Sequence, residues 1–340
     1  MAGNLDTTRP PNSTLHHDDD NPGHHLLIFP QQTISRLAPF SALIISVVLV
    51  VYFLIRFYVL ENFLLERVYG RTYTQMDETT RRGFVNHHIA GTAKISILII
   101  AAYPFVLVVF GDANFHSAFA GSDVVRMGDI LIVAAQMLIA MYVFELFYRP
   151  KISPVSVGHH IGTIFIGQAA IAINIDFLAE RDGTIEFLLC LVWGAFDIIS
   201  EFLPHVSIIL YRVYPSSHVF LRKVFLVSCI TTFTGTILET LVTMYLFGSL
   251  WACWTVAFKI TTPILHVVFA AAQMWGSWNF YMMYQKQKRL IAQEARPGDA
   301  ECGLEAPSAP KKAGQVDVSE IAPGSNAAAA AFEIPPETAS

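Results

Sequence analysis

Seven apolar stretches, near residues 38–60, 90–110, 127–147, 157–176, 186–210, 221–247 and 253–283, constrain this chain more than any other feature. Each is long enough to cross a hydrocarbon core of about 30 Å, which takes roughly 20 helical residues. Backbone N–H and C=O groups find no partner in lipid, so a spanning segment must satisfy them internally. The runs are too long and too continuous for barrel strands of about ten alternating residues. The expected fold is all-α: a polytopic transmembrane helical bundle of about seven spans. Composition agrees, since 14% charged residues lies well below the roughly 25% of a soluble domain. No basic domain or nucleic-acid motif is present, so nucleic acid is not an expected partner.

Lysine and arginine placement gives an expected orientation. Arg67, Arg71, Arg81 and Arg82 follow the first span, Arg149 and Lys151 the third, Arg212, Arg222 and Lys223 the fifth, and Lys286, Lys288 and Arg289 the seventh. The intervening loops carry only Arg126, Arg181 and, after span six, no basic residue. The C-terminus is thus expected in the cytoplasm and the N-terminus in the lumen, where the Asn12-Ser13-Thr14 sequon would be glycosylated. Residues 1–37 read as a disordered lumenal tail, although His16-His17-Asp18 and His24-His25 can hold a metal loosely. Residues 291–340 read as a disordered cytoplasmic tail. The four cysteines have no metal-ligand or disulfide spacing and read as small hydrophobes in spans.

Ionisable groups inside spans cost about 2.5–3.5 kcal/mol each at a helix centre, so each needs a partner or a task. Arg56 and Lys94 are expected to snorkel towards span ends, and Glu145 with Arg149 to form a local i,i+4 ion pair. His159 and His160 open the fourth span. Thr163, Gly167, Ile171 and Asn174 share a face with His160 and form a stripe of mostly small and polar residues, while His159 reaches Thr163 at i+4. The fifth span carries Asp197, Glu201 and His205 at i, i+4 and i+8, and chain direction returns them to the depth of the histidine pair. The set suits general acid–base chemistry, zinc ligation, or mutual satisfaction of polar groups in a bundle. Glu239 and Lys259 are expected to pair, and His266 to line the same cavity.

These residues resemble the TLC-domain family (Tram, Lag and Cln homology). His159-His160-Ile-Gly-Thr163 is similar to the HHxxT opening of the ceramide-synthase motif, Asn174 falls where that family has an asparagine, and Asp197 with Glu201 keeps a DxxxE spacing. Where that motif reads His-Asp, this chain has Trp193 and Gly194. The resemblance covers roughly residues 80–290. It implies a six-helix core around a lipid-sized cavity, usually in the endoplasmic reticulum, with span 38–60 as an N-terminal addition.

Three functions compete. The leading expectation is an acyl-chain-binding protein of membrane lipid handling or homeostasis, sphingolipid being one candidate class, with membrane lipids as partners and Thr163, Asn174, Glu201, His205 and His266 lining the lipid site. It carries no cofactor and no assigned metal, and homo- or hetero-oligomerisation stays open. The second is a ceramide-synthase-like acyltransferase, with His159 or His160 as base, Asp197 orienting it, and acyl-CoA as co-substrate. The third is an intramembrane zinc hydrolase built from His159, His160, His205 and Asp197.

Overall fold

Residues 34–175 and 180–295 are described by a computed structural model. Their regular structure is helical, with no strand among the described residues beyond a single Ala118–Arg126 bridge. The chain forms α1 (Ser41–Leu54), a π-helical segment (Ile55–Leu64), α2 (Leu65–Tyr69) and α3 (Arg71–Thr74). There follow α4 (Glu78–Val109), α5 (Met127–Tyr148), α6 (Pro154–Ile175), α7 (Glu180–Val213), α8 (His218–Ser249) and α9 (Val256–Glu294). The segment Ala38–Tyr69 acts as one long crossing, so seven helices are long and apolar enough to span a membrane. The protein is an integral, multi-pass membrane protein.

Burial follows the inverse of a soluble pattern. Lys94 is 0% exposed, Gln136 0% and Glu239 2%, whereas Ile99 is 75% and Phe165 73% exposed. A bundle in lipid has this distribution, since polar groups are costly outside and apolar ones are not. Helix α4 packs on α5 and α7, α6 on α7, α8 on α7 and α9, and α1 lies against α5. Close approach depends on small residues: a Cβ at Gly235 of α8 would lie 2.0 Å from Ser200 Oγ on α7.

Helix ends explain where the chain turns. The Asp77 carboxylate accepts a hydrogen bond from the Thr80 backbone N–H at 3.0 Å and so caps α4. Asp129 accepts from the Arg126 backbone N–H at 2.9 Å and from Ser35 Oγ at 2.6 Å, fixing the start of α5 to the segment preceding α1. Pro150 cannot donate a backbone hydrogen bond, and Arg149 is extended, so α5 stops. Ser153 then caps α6 through the Ser156 N–H at 3.1 Å, with Pro154 as the first helical residue. The result is a tight hinge, residues 149–153, that sets the histidine pair one turn into α6.

Three helices run past the apolar stretches. Span 38–60 continues to Tyr69, span 90–110 begins at Glu78, and span 253–283 continues to Glu294. The extension of α9 is held by polar contacts: His218 bonds Gln287 at 2.8 Å and lies 3.4 Å from Glu294. Cys190, Cys229 and Cys253 are free thiols. The Asn12 sequon, the histidines of residues 16–25, Cys302 and nearly all of both expected tails lie outside the described residues.

Candidate functional site

The site is built from one cation and two carboxylates in the middle of the bundle. Lys94 on α4 is fully buried, and its Nζ donates to Glu201 Oε2 at 2.7 Å and lies 3.8 Å from Asp197 Oδ2, both on α7. It does not snorkel. Its ammonium turns into the bundle, where two carboxylates meet it. Tyr142 on α5 donates its hydroxyl to Asp197 Oδ2. One oxygen of each carboxylate is therefore engaged from the α4–α5 side.

The other oxygens face α6. His159 Nε2 lies 3.5 Å from Asp197 Oδ1 and 3.9 Å from Glu201 Oε1. These three ligand atoms lie within 4.8 Å of one another, a spacing that a metal ion can bridge. His159 Nε2 and Asp197 Oδ1 are buried with no closer polar contact than their own at 3.5 Å, and His159 Nδ1 is buried with no hydrogen bond. The ring is held by packing instead, 5.0 Å from Phe269 of α9 and edge-on to Tyr142 at 5.9 Å. Thr163 donates to the His159 carbonyl at 3.0 Å.

His160 points about one helical step away and joins a different set. It stacks on Tyr142 at 4.5 Å, and its Nε2 lies 3.5 Å from Glu145 Oε2. Glu145 is also ion-paired with Arg149, the i,i+4 partner expected from the sequence. His205 shares a 2.9 Å hydrogen bond with His87 of α4. The four residues read as a zinc set thus divide: His159 and Asp197 meet, while His160 turns to Glu145 and His205 to His87.

Two cavities meet at His159. One is an apolar chamber of about 1040 Å³ counted out to its open side, walled by residues such as Leu98, Phe105, Leu138 and Leu191, with Asp197, Glu239 and Gln273 its main polar lining. The other is a polar vestibule of about 830 Å³ carrying His87, Glu145, Arg149, His160, Glu201 and His205. His159 and Gln273 line both. The arrangement can hold an apolar tail on one side of His159 and a polar group on the other.

Thr163 lines the chamber, and Glu201 and His205 line the vestibule. Asn174 lines neither. Its Oδ1 accepts from the Ile34 N–H at 2.9 Å and its Nδ2 donates to Thr184 at 2.6 Å, so it ties the segment before α1 to α6 and α7. His266 also lies outside both linings, because Trp193 stands in front of it, stacked at 5.5 Å and donating to its Nδ1 at 2.8 Å. Glu239 and Lys259 do not pair. Glu239 accepts from Gln273 at 2.9 Å, and Lys259 lies over the Trp251 ring at 4.9 Å. A neutral amide satisfies the buried carboxylate without burying a second charge. Sequence reasoning missed Lys94, Tyr142, His87 and Gln273 as site residues; a lysine inside an apolar run was the signal for the first. Compared with known protein families, curated proteins and solved structures, the chain matches none of them.

Proposed function

We propose that this protein is a TLC-type lipid-handling membrane protein that takes an acyl chain into the apolar chamber. The carrying observation is that this apolar chamber ends at a buried, loosely paired His159 and Asp197, 3.5 Å apart. A lipid has the same two-part chemistry, an apolar tail and a polar group at its end. The HHxxT and DxxxE resemblance supports a sphingolipid as the class and the endoplasmic reticulum as the organelle. Lys/Arg placement supports a vestibule opening to the cytoplasm.

Lipid extraction from the purified protein, followed by mass spectrometry, tests this. One lipid class should be enriched over the surrounding membrane, and Ala135→Trp, which fills the chamber from α5, should deplete it. Co-purifying lipid in bulk membrane proportions, unchanged by Ala135→Trp, overturns the reading.

The loosely paired His159 ring favours a second reading, acyl transfer. Acyl-CoA would enter through the vestibule beside Arg149; His159, held by Asp197, would take the proton from an amine or hydroxyl that attacks the thioester carbonyl, the C–S bond would break, and CoA would leave as the thiol with that proton. Incubation with labelled acyl-CoA and a sphingoid base should give product that His159→Ala abolishes. Absence of transfer to several amine and alcohol acceptors sinks it.

A further inference from the structure

We propose that His159 Nε2, Asp197 Oδ1 and Glu201 Oε1 form a three-ligand site for zinc. The donors are one imidazole and two carboxylates, a set that suits a first-row divalent metal and not a hard cation such as magnesium. In a tetrahedral zinc site with bonds of about 2.0–2.1 Å, neighbouring ligand atoms stand about 3.4 Å apart. His159 Nε2 lies 3.5 Å from Asp197 Oδ1 and 3.9 Å from Glu201 Oε1, and all three atoms fall within 4.8 Å of one another. Small side-chain rotations close the remaining gap.

Burial carries the argument further. The His159 side chain is 8% exposed, and its Nε2 and Asp197 Oδ1 have only each other, at 3.5 Å, beyond good hydrogen-bond length. A buried pair held only at 3.5 Å is poorly satisfied, and an ion between its atoms would meet both. The supporting shell is already in place. Lys94 holds Glu201 by Oε2, Tyr142 holds Asp197 by Oδ2, and each carboxylate keeps one oxygen for the metal. Outer contacts of this kind orient metal ligands and tune affinity. The histidine ring is oriented by Phe269 and Tyr142. Three protein ligands leave a fourth position open to water or to a lipid oxygen. His159 lines both chamber and vestibule, so that position is reached from either.

The site goes beyond the lipid reading and stands apart from it. The full-length protein, purified without chelator, loaded with zinc and freed of excess by buffer exchange, should retain about one zinc per chain. His159→Ala and Asp197→Asn should lower this by at least about tenfold, while His160→Ala, whose ring faces Glu145, should retain it. Zinc unchanged in His159→Ala, or lost only when His16, His17, His24 and His25 are together replaced by alanine, overturns the proposal. Cobalt loading of the unaltered chain decides the matter if the variants fail to fold: a strong visible tetrahedral band is expected, and a weak octahedral spectrum overturns it. Lipid retained without zinc overturns this proposal alone, and zinc retained without lipid overturns only the lipid reading.

Discussion

Lys94 is the residue on which the centre of the bundle balances. It is wholly buried, and its ammonium faces Glu201 at 2.7 Å and Asp197 at 3.8 Å. Removing one member of such a group leaves uncompensated buried charge, which costs about 3–5 kcal/mol. Lys94→Met should therefore lower the unfolding midpoint of the detergent-solubilised protein sharply, followed by far-ultraviolet circular dichroism. Adding Glu201→Gln should recover part of the loss, because it removes one of the two stranded carboxylates. A double variant no better than Lys94→Met would show that the lysine acts through packing alone. The sequence placed Asp197, Glu201 and His159 together correctly, because i,i+4 spacing and the reversal of chain direction are local rules. It could not place Lys94 or Tyr142, which reach the site from α4 and α5. Their role depends on helix rotation, and helix rotation is fixed by packing with distant parts of the chain.

At the level of elements, the ends of helices are held by individual side chains. Asp77 caps α4 through Thr80, and this hydrogen bonding holds its carboxyl below the ordinary carboxylate range. A lowered folded-state value means the stabilisation is fully present above the unfolded value of about 3.9 and is lost as pH falls through the folded one. Asp77→Ala should cost about 1 kcal/mol near neutral pH. The gap between it and the unaltered protein should narrow as the medium is acidified below about pH 4. Thermal unfolding at a series of pH values checks both, and a gap that stays constant into acid would assign the loss to something other than the carboxylate. The π-helical segment is a feature that no periodicity revealed. It brings Arg56 and Glu61, five residues apart, to 2.8 Å, and Tyr148 of α5 donates to Glu61 while its ring lies under the Arg56 guanidinium at 4.7 Å. Five-residue spacing matches the i to i+5 hydrogen bonding of a π-helix. Arg56, read from the sequence as able to snorkel from a span end, is partly exposed and is one side of a contact fastening the first crossing to α5.

For the molecule as a whole, the number and order of spans were legible because bilayer thickness sets a minimum length for an apolar run. Their true lengths were not. Helix α4 has 32 residues, about 48 Å at 1.5 Å per residue, and α9 has 39. Hydropathy ends where lipid ends, whereas helices continue as long as neighbouring helices satisfy their polar faces, as His218 does for Gln287. If all seven candidate helices cross, an odd number, Ala38 and Glu294 belong to opposite ends of the set of crossings. For which side is which we propose, from the Lys/Arg asymmetry, that the hinge with Arg149 and Lys151 and the basic end of α9 share the cytoplasmic face. On the orientation proposed from that asymmetry, Asn12 would lie in the lumen. In cells with a glycosylating secretory pathway, the chain should run as a form that shifts on endoglycosidase treatment, and Asn12→Gln should abolish the shift. A cysteine introduced at Lys151 should react with a membrane-impermeant thiol reagent only after the plasma membrane is selectively opened. An unglycosylated chain whose position 151 is protected until the inner membranes are also breached would invert the orientation and turn the vestibule, with His160 and Glu145, towards the lumen.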